Sequence, residues 1–287
     1  MIRSMTAFAR AERAGSDGTL NWELRSVNHR YLEPHLRLPD ALRDLESPVR
    51  DVLRQHLSRG KVECTLRFDE ASADKALHVD AKQAAQVVAA AESVASLIAQ
   101  PACIDPLQVL TWPGVLASNA PDPQALNAEA LALFHDALGE LKAGREREGA
   151  ELARLIGERL EAMAAHVTAL RALVPQMLAT QRQKILDRFA ELNLDADPQR
   201  LEQELVMLAQ KSDVAEELDR LTTHITEVHR VLAAGGAAGR RLDFLMQELN
   251  REANTLGSKA FDPRSTQAAV NLKVLIEQMR EQVQNIE

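Results

Sequence analysis

The feature that most restricts this chain is a change in the period of its apolar residues. Over residues 20–38 apolar and polar side chains alternate: Leu20, Trp22 and Leu24 against Asn21, Glu23 and Arg25, then Leu36 and Leu38 against His35 and Arg37. Period two puts the two sets on opposite faces of a strand. Leu42, Leu45, Val49, Val52, Leu53 and Leu57 recur at helical spacing, and after Gly60 the alternation returns in Val62, Cys64, Leu66 and Phe68. The local order is strand, helix, strand. From Asp80 onward the period is helical, with Ala-rich helices expected over 81–99 and about 124–174, interrupted between Pro101 and Pro123. Asp105-Pro106 has the form of a helix start, a capping carboxylate followed by proline at the first helical position. Pro175 should kink or restart the long helix. Asp197-Pro198 should begin another that runs to the Gly235-Gly236 break, and two more are expected over 239–256 and 263–284. The fold class is α+β: an N-terminal mixed strand and helix domain, residues 1–155, followed by a long-helix C-terminal domain, residues 156–287.

Helices of this length with few loops cannot all cover their apolar stripes inside one small globule, so protruding arms or subunit contacts, and hence a homo-oligomer, are expected. The 287 residues, 46% of them apolar, suffice for two cores without disulfides. Cys64 and Cys103 lie far apart in apolar surroundings, with no ligand partner at metal spacing; they read as buried free thiols in a reducing compartment. No apolar run approaches the roughly 20 residues needed to cross a bilayer, and Met1–Thr6 runs straight into polar sequence. The expected protein is therefore soluble, unexported and cytoplasmic, without a membrane partner.

The net charge of −8 speaks against a nucleic-acid partner until its distribution is considered. Residues 1–67 hold 12 Lys and Arg against 9 Asp and Glu, and the remaining 220 residues hold 22 against 33. A mildly basic head joins an acidic body. Such a division permits phosphates to be held at one place and a divalent cation at another, although most acidic helical surfaces are only solvated. There is no Walker loop, dinucleotide fingerprint, Gly-x-Ser-x-Gly elbow, Cys-x-x-Cys pair or His-Glu-x-x-His helix, so common nucleotide, esterase and zinc chemistries lose support. With only nine aromatics, several on apolar faces, a base-stacking platform is not expected.

Three groups of residues can carry chemistry. Arg25, Asn28, His29 and Arg30 crowd two guanidiniums and an imidazole into six residues, a set able to grip phosphates or, alternatively, to form a salt-bridged loop with Glu23 and Glu33. Asp213, Glu217, Arg220 and His224 follow one another at spacings of 4, 3 and 4, along one side of a helix. Their carboxylates and imidazole suit Mn²⁺ or Mg²⁺, while Glu216 and Arg220 can equally form an ordinary i,i+4 ion pair. In the 239–256 segment Leu242, Leu245, Leu249, Ala253 and Leu256 form a core or interface stripe. Asp243, Gln247, Asn250 and Asn254 fall on a second face, and Glu248, Arg251, Glu252 and Thr255 on a third. If the two helices pair antiparallel across Gly235-Gly236, Glu248 and Glu252 supply further carboxylates to the acidic stripe.

Several blocks resemble the YicC/YloC family: MIRSMTAFAR at 1–10, WELRSVNHRYLE at 22–33, RGKVECTLRF at 59–68, DVAEELDRL at 213–221, GRRLDFLMQELNREANTLGSK at 239–259 and LKVLIEQMREQVQNIE at the end. Ala7 and Ala9 stand where many relatives have glycine. The resemblance implies a homohexameric endoribonuclease that cleaves RNA phosphodiester bonds with a divalent metal, linked to small-RNA turnover and stress survival. With it, the candidate catalytic residues are Glu217, His224, Glu248 and Glu252, and the candidate metal ligands are Asp213, Glu217, His224 and Glu248. The candidate RNA contacts are Arg25, Asn28, His29 and Arg30, joined by Arg3, Arg240, Arg251 and Lys259 from the resembling blocks. The alternative is a non-catalytic RNA-binding adaptor that delivers RNA to other RNA-decay enzymes.

Overall fold

The structure, a computed structural model, describes residues 1–287 except 16, 71–77, 118–121, 192–201, 204–205 and 208–212. The expected start of a helix at Asp197-Pro198 lies outside the described residues. The head is a four-stranded sheet in the order β1 (Ala7–Ala14), β2 (Gly18–Val27), β4 (Gly60–Glu70) and β3 (Leu32–Arg37). β1 pairs antiparallel with β2, β2 antiparallel with β4, and β3 parallel with β4. Parallel neighbours require a crossover, supplied here by a 3₁₀ turn (Asp40–Leu45) and α1 (Glu46–His56). Pro34, which cannot donate to a ladder, sits on the edge strand β3, where that loss is tolerated. β1 was not legible from periodicity, because its alternation is largely of alanine with polar residues.

One face of the sheet is dry. Leu20, Trp22, Leu24, Val62, Cys64 and Leu66 pack against Val49 and Leu53 of α1 and against Leu126 to Leu141 of α4 (Pro123–Glu191). Trp22 is fully buried; its indole Nε1 donates to the Ala130 carbonyl at 2.8 Å, and its ring meets Phe134 edge-on at 5.0 Å. Burial of an aromatic with its polar tip satisfied is a strong local anchor. Cys64 belongs to this core, where desolvation pushes its thiol up to about 12. Cys103 differs from expectation: it is exposed. It follows α2 (Ala81–Ala95), and neither α2 nor α3 (Pro106–Leu110) has any fully buried residue. This arm is closed at its base by a short ladder of β5 (His78–Val79) with β6 (Leu116–Ala117). It leaves Val94, Leu97, Leu107 and Trp112 exposed.

α4 does not restart at Pro175 but continues through it as one helix of 69 residues. Proline removes one i→i−4 hydrogen bond without removing the packing on either side, and Leu170 and Met177 remain buried. The second half of α4 forms a bundle with α5 (Ala215–Ala234), α6 (Gly239–Ser258) and α7 (Pro263–Val283). The α6 stripe Leu242, Leu245, Leu249, Ala253 and Leu256 is core, at most 4% exposed. Gly235 and Gly236, at φ of 66° and 76°, turn the chain between α5 and α6. α7 begins as its sequence indicates, with Asp262 accepting from the Arg264 amide before Pro263.

The N-terminal segment crosses α4 at a point with no spare room. A Cβ on Gly149 would lie 2.4 Å from the Ile2 carbonyl oxygen and 2.7 Å from the Arg3 Cα, whereas one on Gly157 would meet nothing within 4 Å. Gly149→Ala should therefore destabilise by about 2–3 kcal/mol, the scale of overpacking. Gly157→Ala should be neutral or stabilise by about 0.5–1 kcal/mol through helix propensity. Chemical denaturation of the two variants measures the contrast; equal midpoints would show that the segment yields.

Candidate functional site

α5 and α6 run antiparallel, and polar side chains meet across their seam at regular intervals. At the turn end, Glu227 accepts from Arg230 at 2.7 Å and from Arg241 at 2.5 Å, which holds its carboxyl down at about 2. In the middle, His224 faces Glu248 and Glu252, and one ligand atom from each lies within 4.8 Å of the others. Next comes Arg220, paired with Glu216 on its own helix and at 3.4 Å with Glu252 across the seam. At the far end Lys259 donates to Glu217 at 2.8 Å and to the Asp213 carbonyl at 2.9 Å. The contacts follow helical spacing on both sides: Glu227, His224, Arg220 and Glu217 descend α5 in steps of three or four residues, and Arg241, Glu248, Glu252 and Lys259 ascend α6 and its C-terminal cap in steps of four or seven.

The middle of the seam differs chemically from its ends. Glu252 is 3% exposed, yet its one partner among the described residues is Arg220, at a long 3.4 Å. Glu248 has Arg251 at 4.0 Å, too far for a hydrogen bond. Two carboxylates and an imidazole thus converge with their acceptor capacity mostly unused. Ligands opposite one another on a six-coordinate Mg²⁺ or Mn²⁺ stand about 4.2 Å apart, at about 2.1 Å from the ion. Adjacent ligands stand closer, about 3.0 Å apart, so the three side chains would have to draw together around an ion, for which the mixed imidazole and carboxylate donors suit Mn²⁺. Among the described residues this is the one such group.

Of the four residues grouped as metal ligands, the structure brings together His224 and Glu248, with Glu252 as third. Asp213 and Glu217 lie apart from them. The Asp213 side chain accepts from the Ala215 amide at the start of α5, and Glu217, buried, is bonded to Lys259 with its Oε2 enclosed and without a hydrogen-bond partner.

The candidate RNA contacts are dispersed. Arg25 is exposed on the solvent face of β2 and has no ion pair or hydrogen bond among the described residues. Arg30 lies over the Tyr31 ring at 5.2 Å. His29 stands 3.5 Å from Glu33, and Asn28 donates to the Gln284 carbonyl at 2.7 Å, tying the β2–β3 loop to the end of α7. Arg3 pairs with Glu146 at 2.9 Å. Arg251 is exposed beside Glu248, Lys259 is engaged as above, and Arg240 is exposed in the first turn of α6. Phe8, Tyr31, Trp112 and Phe244 are each more than half exposed, so the expectation that apolar faces absorb the aromatics holds for Trp22 and Phe134 but not for these. Arg59 and His56, not singled out from the sequence, line a cleft with Arg3 and Arg240.

Two family models match the chain: "Endoribonuclease YicC-like, N-terminal region" over residues 2–154 and "Endoribonuclease YicC-like, C-terminal" over residues 170–287. The chain belongs to the YicC-like family. A probable endoribonuclease YicC of Haemophilus influenzae is 46% identical over 288 residues, and one of Clostridioides difficile is 31% identical over 293; each comparison covers all of both chains. In this YicC-like chain the polar seam belongs to the C-terminal matched region, and the Arg25 to Arg30 cluster to the N-terminal one.

The end of the seam can be tested through acid unfolding. Glu227 has an ordinary value of 4.5 and is held near 2 in the fold, so its contribution is complete above about pH 4.5 and is lost as pH falls toward 2. Glu227→Gln should lose stability at neutral pH and show a shallower fall between pH 4.5 and 2. Parallel acid-unfolding curves for parent and variant over that window would show that the carboxylate contributes nothing.

Proposed function

We propose that this protein is an endoribonuclease that cleaves RNA phosphodiester bonds with a divalent cation, Mn²⁺ or Mg²⁺, held by His224, Glu248 and Glu252. The observation that carries the reading is the convergence of these three side chains in a chain whose full-length relatives are named probable endoribonucleases. Such an ion, when bound, lowers the pKa of a water and offsets charge on the scissile phosphate. The protein's own part is positional. Glu252 is fixed by burial and by Arg220, and exposed Arg251 lies at the rim, placed to meet a phosphate. Asp213 and Glu217 anchor Lys259 at the end of the seam. Arg25 and Arg30, with His29 nearby, hold the RNA backbone away from the cleavage point.

The same reading divides the chain into an RNA-holding unit, 1–155, and a catalytic unit, 156–287. It places the activity in small-RNA turnover and stress response in the cytoplasm, as the family resemblance implies. No helix among the described residues is long and apolar enough to cross a membrane.

Purified protein should cleave a labelled RNA with Mn²⁺ or Mg²⁺ and stop in chelator. Loss of an outer partner of a metal ligand costs about 10–100-fold, so Glu248→Gln and Glu252→Gln should each lower the rate by at least about 100-fold while remaining folded. Arg25→Ala with Arg30→Ala should leave the metal titration unchanged but weaken RNA binding at every sequence, with the salt slope falling by about 1.4 for two lost phosphate contacts. Cleavage that persists unchanged in both glutamine variants would remove the proposed site. RNA binding with no metal-dependent cleavage by the parent would identify the adaptor instead.

We also infer a homohexamer built through the helical body. Val270 and Val274, one turn apart on α7, and Phe244 on α6 are exposed by about half in the single chain. Light scattering should return a hexamer for the parent and a smaller assembly for Val270→Asp with Val274→Asp. A parent that is monomeric at micromolar concentration would exclude it.

A further inference from the structure

A cleft of about 600 Å³ opens where the head meets the turn between α5 and α6. Its head side is the end of α1 and the segment after it, with His56 and Arg59; its body side is Gly236 and the first turn of α6, with Arg240; Arg3 also lines it. We propose that this cleft binds a phosphate group of the RNA, gripped by the guanidiniums of Arg59 and Arg240.

The chain carries 42 carboxylates against 34 Lys and Arg, and its guanidiniums are mostly taken: Arg13 by Asp136, Arg50 by Glu46, Arg171 by Asp219, Arg241 by Glu227. Arg59 and Arg240 are exceptions. Neither has an ion pair or a hydrogen bond to a described residue, although both line one cleft. The Arg59 Nε is enclosed and has no hydrogen-bond partner. An enclosed donor left unmatched costs about 1–3 kcal/mol, and an oxygen acceptor from a ligand would recover it.

The acids nearby do not neutralise the pair. Glu287 lines the cleft, but its carboxylate is bonded to buried Arg145 at 3.2 Å. Glu146 is occupied by Arg3 at 2.9 Å. His56 adds a further donor at the mouth. Two planar forks with five N–H donors each suit a tetrahedral oxyanion better than a single carboxylate, which one guanidinium can satisfy alone. The volume, larger than a phosphate and within the usual range of small-ligand sites, admits a nucleotide unit.

Position connects the cleft to the acidic seam. Arg240 and Glu248 are eight residues apart on α6, about 12 Å along the helix axis. The cleft and the group of His224, Glu248 and Glu252 are thus near enough for one RNA strand to span both. The proposal rests on the RNA reading above, but its anion chemistry can be measured without cleavage.

Two measurements, both in chelator, test it. In the first, inorganic phosphate at constant ionic strength should raise the melting temperature of the parent but not of Arg59→Gln with Arg240→Gln. In the second, the double variant should bind a labelled single-stranded RNA about 10-fold more weakly or worse, with the salt slope reduced by about 0.7 for one lost phosphate. Because Arg59 is partly enclosed, Arg240→Gln alone, at an exposed position, is measured as well and should show part of the loss. A deficit seen with 5′-phosphorylated and 5′-hydroxyl RNA alike assigns the site to a bridging phosphate; a deficit confined to the phosphorylated RNA assigns it to the strand's end. Phosphate stabilisation that depends on the two arginines, in a protein that binds no RNA, would uphold the cleft and overturn the RNA reading. RNA binding with equal affinity and salt slope in parent and both variants would overturn the cleft and leave that reading intact.

Discussion

The rest of the structure depends on a buried guanidinium about a third of the way along the longest described helix. Arg145 is 1% exposed; its Nε donates to the Ser4 carbonyl at 2.5 Å, and its Nη2 lies 3.2 Å from the Glu287 carboxylate. Burial, above all, pushes its pKa down, with Glu287 opposing that shift. A charge so placed is tolerated only while paired, since breaking such a pair leaves an uncompensated ion at a cost of about 3–5 kcal/mol. The pairing fastens two distant segments to α4 at once. Ser4 bridges to Ile286, the Met5 amide donates to the Asn285 carbonyl, and the Glu287 amide donates to the Arg3 carbonyl.

This junction explains how one helix can serve two cores. Leu126 to Leu141 of α4 cover the sheet, and Leu152 to Leu170 enter the bundle. Between them stand Arg145 and Gly149, where the N-terminal segment lies directly on the helix. Asn28, reaching from the β2–β3 loop to the Gln284 carbonyl, adds a second tie between head and body. The cationic cleft and the polar seam are therefore both referred to a common frame. Arg59 comes from the head and Arg240 from the body, and their spacing is only as fixed as the junction that orders them.

Along α6 the chemistry changes sign. Its first turn carries Arg240 and Arg241, and its middle carries Glu248 and Glu252 opposite His224. The ends of the α5–α6 seam are closed by matched ion pairs, Glu227 with Arg241 and Glu217 with Lys259. Those pairs orient the helices without using the central carboxylates. An acidic centre between ion-paired ends concentrates negative potential where a cation would be held, and places basic side chains where polyanion backbone would approach.

Much of this was present in local spacing. Leu20, Trp22 and Leu24 marked a strand, Leu242 to Leu256 marked the buried stripe of α6, and Asp105-Pro106 and Asp262-Pro263 marked helix starts, because each depends on neighbours within one or two turns. β1 escaped because alanine provides little contrast between its faces, and α4 passed through Pro175 because packing on both sides outweighed one missing hydrogen bond. The sequence by itself also determined the family and put His224, Glu248 and Glu252 among the candidates. Tertiary structure alone decided that Glu217 turns to Lys259 while Glu252 joins His224, since the phase at which two helices pack is set by their whole apolar stripes and by the glycine turn between them. It alone brought Arg59 and Arg240 to one cleft: residues 181 positions apart share it only through the junction at Arg145, and no spacing within either segment encodes that placement.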